Sequence, residues 1–367
     1  MPAANLKHTK YYPFFDGLRC FAILWVLLFH AFYFFKITDA GSVYLAPIVK
    51  MIRSGFLGVD IFFVISGFLI TGLLVDGLTT KINVRRFYIR RFFKIIPHYY
   101  ITVVVGLIIT AFTGPDYIYG FNAILSYFLF FNNYVMSIPI LSHLWSIAIE
   151  EHFYFVLPLI MYLVCLLQKD MLSRKKLLAF IFLIFIIAGN MLRYHFLKLS
   201  NISPFPANYQ MTHLRFDALF FGCLMKLFEP QLACAQKKYA GFIGPSAFLL
   251  SVTLFVYISL NFDHRNGHHF TLAYIASGLL IVSALNNFVI LKAMIENKLL
   301  IFIGKNSYGI YLWHLLVLYP FKKLADRFDL DVIVIAILYI ITSICIGIIG
   351  TQTIERYFLQ LREKVIP

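Results

Sequence analysis

Hydrophobic positions run through this chain in long blocks, and the polar residues that interrupt them are few. An apolar run of about 20 residues is what a helix needs to cross a bilayer core of about 30 Å. The pattern marks ten such segments, near 14–35, 56–78, 95–113, 142–167, 176–197, 209–228, 241–260, 271–290, 299–320 and 331–353. A further apolar stretch, 121–136, is interrupted by Asn132 and Asn133. It reads as a re-entrant piece or half-helix, because backbone that leaves the helix at membrane depth must be buried in protein. The predicted fold class is an all-α membrane protein with about ten transmembrane helices plus that one half-helix segment.

Composition points the same way. Of 367 residues, 61% are hydrophobic, 18% aromatic and 13% charged, and the mean hydropathy is +0.81. Soluble domains carry roughly 25% charged residues. The deficit extends over the whole length, which excludes a soluble class. A net charge of +15 would suggest nucleic acid in a soluble protein. Here Lys and Arg gathered in loops on one side of the membrane account for it, and no nucleic-acid partner is expected. With the N-terminus inside, 21 of the 32 Lys and Arg fall on the cytoplasmic side and 9 outside, with Arg19 and Arg215 left in membrane segments. Counting 121–136 as a full crossing would lose this bias. The expected layout is a cytoplasmic leader (1–13), one membrane domain (14–356) and a cytoplasmic tail (357–367), with no soluble domain attached. Five scattered cysteines without a CxxC pair indicate neither a disulfide framework nor a metal site.

The candidate chemistry lies in the polar residues inside apolar blocks, which are costly there and tend to be paired and functional. The segment PFFDGLRCFAILWVLLFH (13–30) carries Asp16 and Arg19, an i,i+3 pair, and His30 about 16 Å deeper along a helix. His30 has no partner at helical spacing in its own segment. It is either a packed core residue or a neutral imidazole serving as general base. In GFLGVDIFFVISGFLIT (55–71), small residues allow close helix approach, and Asp60 either caps the helix or orients a group on a neighbour. The stretch RRFYIRRFFKIIP (85–97) is the most basic. Arg86, Arg90, Arg91 and Lys94 suit a phosphate-bearing cytoplasmic ligand, with anionic lipid as the plainer alternative. In LWSIAIEEHFYFVLP (144–158), Glu150 and Glu151 face different neighbours, with Ser146 and His152 beside them. His213 and Asp217 in HLRFD are spaced as an internally satisfied pair flanking Arg215, and GKNSYGIYLWH (304–314) brings Ser307, Tyr308 and His314 into a helix. Glu355 and Arg356 read as an ordinary interfacial anchor.

Taken in order, DGLRCFAILWVLLFH, GFLGVDIFFVISGFLIT, RRFFKIIP, LWSIAIEEHFYFVLPLI, LRFDALFFG and GKNSYGIYLWH resemble the signature blocks of the acyltransferase family 3 membrane proteins. The match runs from about Phe14 to Arg356. The resemblance implies a bacterial inner-membrane enzyme that moves an acyl group, usually acetyl, from cytoplasmic acyl-CoA to a glycan hydroxyl at the outer face. Typical acceptors are lipopolysaccharide O-antigen, exopolysaccharide and peptidoglycan. It also implies that His30 is the essential first-helix histidine and that Arg91 and Lys94 hold acyl-CoA. Lysine replaces the family's usual second arginine, keeping charge and losing the bidentate fork. His152 stands where the family usually has glutamine. Many relatives carry a further soluble hydrolase-like domain; the expectation here is the membrane domain without it. On this reading His30 is base or nucleophile, and Glu150 or Asp60 orients its ring. The rival from another class is a secondary transporter or flippase with proton-carrying carboxylates and histidines.

Overall fold

The computed structural model describes residues 11–38, 42–75, 78, 82–113, 120–135, 138–199, 208–262, 267–328 and 330–366. The leader residues 1–10, with Lys7 and Lys10, lie outside the described residues, as do Lys81 and Arg265. Regular structure among the described residues is helical throughout.

Helix α1 (Pro13–Phe34) starts on a proline, whose missing N–H is one of the groups a first turn leaves unbonded anyway. Its 22 residues span about 33 Å, enough to cross. A short amphipathic helix, α2 (Ala46–Arg53), has no buried residue and leads through a 3₁₀ turn into α3 (Gly58–Val75). Helix α4 (Val84–Thr113) begins well before residue 95, so the basic stretch forms its first turns. Helix α5 (Phe121–Phe128) has eight residues and is about 12 Å long, far too short to span. That agrees with the half-helix reading of 121–136. A 3₁₀ turn (Pro139–Leu144) enters α6 (Trp145–Leu167), followed by α7 (Met171–Leu199), α8 (Phe216–Leu227), α9 (Glu229–Asn261) and α10 (His268–Leu285). The chain closes with α11 (Val289–Ile295), α12 (Lys298–Lys305), α13 (Ser307–Phe328), α14 (Val332–Gly350), a π-turn (Thr351–Glu355) and α15 (Arg356–Val365).

Among the described residues, eight helical stretches are long and apolar enough to cross a membrane: Pro13–Phe34, Ala46–Val75, Val84–Phe112, Pro139–Leu167, Met171–Leu197, Gly241–Asn261, His268–Leu285 and Val332–Val365. Two of the ten expected spans differ. Segment 209–228 is two 3₁₀ turns followed by α8, whose 12 residues cover only about 18 Å. It is a buried inner helix, enclosed chiefly by α3 and α7. Segment 299–320 breaks at Asn306, whose side chain donates back to the Phe302 carbonyl at 2.7 Å. Helix α13 then runs on through Lys322, Lys323, Asp326 and Arg327, too polar for a plain crossing.

Close backbone approach holds the centre together, as small residues do where lipid gives helices no hydrophobic drive to associate. Helices α3 and α8 cross at two glycines. A Cβ at Gly67 would lie 1.9 Å from the Leu219 carbonyl oxygen, and one at Gly222 would lie 2.2 Å from that of Val64. The small-residue reading of 55–71 therefore holds at Gly67. In the same way Gly304 sits on the Asp16 carbonyl, fixing α12 against the start of α1.

Candidate functional site

Two adjoining cavities open among α1, α3, α4, α6 and α13. The outer one, about 570 Å³, is walled by Tyr11, Tyr12, Asp16 and Arg19 around the start of α1 and by residues 66–75 of α3. The inner one, about 130 Å³, reaches Ser146, Glu150, Ser307, Tyr308, Tyr311 and Glu355. Arg19, Ser66, Arg91, Lys94 and Tyr154 line both, so the two form one passage. Three cations thus stand at the junction. Arg91 and Lys94, three residues apart on α4, face it together, and neither forms an ion pair among the described residues. Arg91 instead lies over the rings of Tyr154 at 5.1 Å and Phe87 at 5.8 Å. Arg86 and Arg90 line neither cavity.

The mouth is hydrogen-bonded into shape. Asp16 takes a bond from Tyr11 at 2.7 Å and an ion pair from Arg19 at 3.2 Å. Burial first, and then the bond to Asp16, push the Tyr11 hydroxyl up to about 12, so it stays a donor at any physiological pH. The Tyr12 hydroxyl donates to Glu229, which also pairs with Lys226. Deeper in, Tyr154 donates to Glu150 at 2.7 Å, and Ser66 bonds Tyr154 at 2.5 Å. Ser66 must then be the donor, since the phenol proton is committed to the carboxylate. Tyr308 donates to the Ile95 carbonyl, fixing α13 against α4. Glu355, expected as a plain interfacial anchor, is instead 8% exposed and lines the inner cavity from the π-turn. Single π-turns inside helices recur at functional sites.

Tyr311 closes the inner cavity. Its hydroxyl bonds Ser146 at 2.7 Å and the His143 carbonyl at 2.8 Å. Behind it stand three histidines. Ring centroids are 5.3 Å apart for Tyr311–His314, 4.8 Å for His314–His30 and 4.7 Å for His314–His143. His30, half-buried and four residues from the end of α1, bonds the Val26 carbonyl through Nδ1 at 2.9 Å. A carbonyl only accepts, so Nδ1 carries the proton and Nε2 keeps a lone pair facing outward from that bond. No three His, Cys, Asp or Glu among the described residues make a metal cage.

Several expected pairings differ. Asp60 does not orient His30: it is wholly buried and pairs with Arg215 at 2.8 Å. Glu150 is bonded by Tyr154 rather than by the imidazole. His213 and Asp217 do not pair either, because a 3₁₀ turn ends at Leu214 and breaks the helical spacing between them. Asp217 pairs with Arg193 at 2.7 Å, and His213 bonds Tyr134 at 3.2 Å. His152 bonds Thr212 at 2.7 Å beside Asn133, away from both cavities. Glu151 keeps one buried carboxylate oxygen without a partner.

His143, Tyr154, Tyr311 and Arg193 are placed by the structure and not singled out by the sequence. His143 and Arg193 stand out as polar residues beside or inside apolar blocks. The two tyrosines carried no signal among 23.

Comparison with known proteins supplies the remaining observation. The family profile described as an acyltransferase domain matches residues 12–352. Among curated relatives, O-acetyltransferase OatA of Staphylococcus aureus is 29% identical over 331 residues, covering 84% of this chain and 51% of that protein. Peptidoglycan O-acetyltransferase OatA of Listeria monocytogenes is 30% identical over 330 residues, covering 83% and 49%. The chain thus spans about half the length of these relatives. No solved structure matches it.

Proposed function

The chain belongs to the acyltransferase-domain family, and from that premise we propose that it is a membrane-embedded O-acetyltransferase. It takes an acetyl group from cytoplasmic acyl-CoA and delivers it to a hydroxyl of a surface glycan at the outer face of a bacterial inner membrane. One observation carries this reading: a single passage with unpaired cations at its junction ends one side-chain layer from His30. Lys226, paired with the Glu229 that Tyr12 bonds, and Lys305, over the Tyr11 ring, gather with the start of α1 at one end of the bundle, and such a basic end supports a cytoplasmic N-terminus.

The parts divide the work as follows. Arg91 and Lys94 receive the CoA phosphates, whose charge matches two cations with no carboxylate of their own. CoA is too highly charged to cross, so only the acyl end reaches inward along Ser66, Tyr154 and Glu150. His30 Nε2 then takes the proton of the acceptor hydroxyl as general base, or takes the acetyl group itself as nucleophile. Its ring is held by the Val26 carbonyl, which does for orientation what a carboxylate does in a triad. The Lys94 ammonium binds phosphate as a point charge without a planar fork.

The activity named for the Listeria relative points to peptidoglycan as acceptor; lipopolysaccharide O-antigen is the other surface glycan the reading admits. Purified protein given radiolabelled acetyl-CoA should release CoA and form an ester on glycan, and a transporter would do neither. Mass spectrometry of peptidoglycan and lipopolysaccharide from cells with and without the gene identifies the acceptor. Unchanged acetylation of every surface glycan contradicts the proposal.

A further inference from the structure

The donor passage stops short of His30, and the ring has further neighbours at the far end of α1 that the passage does not touch. Phe34, one turn on, lies close to parallel with the imidazole, 6.3 Å between centroids and 27° between planes. The Lys322 ammonium of α13 stands over the Phe34 ring at 5.7 Å. Tyr319 meets the same ring at 6.0 Å and Tyr33 at 5.4 Å, both steeply tilted to it. One aromatic ring thus separates a cation from the imidazole. None of these four residues lines either cavity of the passage.

This end of the bundle is held in place. Phe35 is buried against Tyr339 of α14, with 6.1 Å between the rings. The N–H groups of Phe35, Lys36 and Ile37 bond back to the carbonyls of Ala31, Tyr33 and Phe32, and Arg53 donates to the Ile37 carbonyl at 3.1 Å. Tyr33 nonetheless stays 62% exposed, a flat apolar face on fixed backbone with a hydroxyl at its tip. The charge here is positive and unanswered. Lys36, Lys322, Lys323 and Arg327 stand on these two helix ends, and none of them is in an ion pair among the described residues. Asp326, one turn beyond Lys322, does not pair with it, and Asp331 caps the first turn of α14. With the N-terminus inside, this is the face that should be poor in cations.

Resting on the acetyltransferase reading, we propose that this cluster is the acceptor site and that the acceptor is an acidic glycan. Tyr33 stacks on the apolar face of a sugar ring. Lys322 pairs with a carboxylate or phosphate on that sugar or on its neighbour, which brings a hydroxyl to His30. The spacing suits this, because a sugar ring is about as wide as the phenyl ring of Phe34 that sets ammonium and imidazole apart. An anionic lipid headgroup is the plainer partner for a basic helix end. A lysine serving lipid extends its charge into the headgroup layer, whereas Lys322 is half-buried and turned back over the ring beside His30. Donor and acceptor then reach His30 from opposite ends of the molecule, and the two anions are read by separate cations: Arg91 and Lys94 for the donor, Lys322 for the acceptor.

Membrane vesicles containing the full chain and endogenous glycan are supplied with radiolabelled acetyl-CoA. The initial rate of ester formation is counted, mass spectrometry locates the ester, and calorimetry gives the acetyl-CoA affinity of each purified protein. In the wild type the ester is expected on a sugar that carries or adjoins an acidic group. Lys322→Met keeps the apolar stem and loses the charge, and should slow ester formation about tenfold, the worth of one charge-assisted contact. Lys322→Arg should restore the rate, and Tyr33→Phe should keep it where Tyr33→Ala loses several-fold. Acetyl-CoA affinity should be the same in all four. An ester confined to uncharged glycan overturns the proposal even if a variant fails to fold. A wild-type rate in Lys322→Met overturns it too, and so does a loss of donor affinity or membrane yield in step with the rate, which would make Lys322 a lipid anchor. The acetyltransferase reading fails separately, through a wild type that forms no ester on any glycan.

Discussion

One group of charges in this molecule is buried and another lines an open passage, and they are finished to very different degrees. Around α7, α8 and α10, Arg193 engages all three of its nitrogens. It bonds both oxygens of Asp217 at 3.1 and 2.7 Å, Asn190 at 3.0 Å, Thr271 at 2.9 Å, and the Leu214 and Gly267 carbonyls at 2.6 and 3.1 Å. Beside it Arg215 pairs with Asp60 and lies 4.1 Å over the Phe270 ring, boxed by Trp145, Tyr209 and Phe63. Around α4, α6 and α13 polar groups are left open: Arg91 and Lys94 without a carboxylate, and His314 and His143 each with one buried ring nitrogen unbonded. Charges paired with an opposite charge of their own chain hold the fold, and cations without a carboxylate are available to a ligand. Both regions obey one rule, since an ion inside a membrane protein must be answered by something.

The comparison breaks most sharply at its saturated side. Arg193→Ala strands Asp217 in the interior, and losing one partner of a buried pair costs about 3–5 kcal/mol. We expect that variant to be lost from the membrane fraction or to unfold far below the wild type in a thermal scan. Asp60→Ala should behave alike through Arg215, whose Nε and Nη1 have no partner to fall back on. A normal melting curve for either would mean that these pairs do not carry the fold.

The open side should show the reverse. His30→Ala removes a half-buried ring at the end of a helix, so the protein should accumulate and melt like the wild type. Transfer should nonetheless fall by about 10²–10⁴-fold, the range general acid–base catalysis supplies. A smaller loss is expected at the junction. Arg91→Ala should raise KM for acetyl-CoA by about tenfold, one charge-assisted contact being worth about 1.5–3 kcal/mol, with kcat little changed. Lys94→Arg restores the planar fork and should lower KM instead. Smallest of all, Tyr154→Phe removes the hydrogen bonds to Glu150 and from Ser66, each worth about 1 kcal/mol. It should change activity only a few-fold in a standard turnover assay.

The two regions also differ in how far the sequence discloses them. Asp60, Arg215 and Asp217 announce themselves as ions in apolar blocks, yet their partners are unreadable, because a pair across helices leaves no spacing in the chain. His213 and Asp217 look like an i,i+4 pair, and only the 3₁₀ turn between them shows that they are not. Helix α8 looks like a span by hydropathy because it is buried by protein, and protein and lipid ask for the same side chains. Arg91 and Lys94 are legible as one face of a helix, and their facing the passage follows from that. The imidazole row is not legible at all. His30, His143 and His314 come from three distant segments, and what joins them is packing.

The central claim is that binding of the donor and reaction with it are done by separate parts of one passage. It is tested most directly by measuring acetyl-CoA affinity by calorimetry and acetyl transfer by radiolabel on the same preparation of His30→Ala. The account predicts wild-type affinity, held by Arg91 and Lys94 beside Arg19, which lies about 16 Å from His30 along α1, together with no detectable ester. Ester formation at the wild-type rate, or loss of donor binding along with transfer, would contradict it.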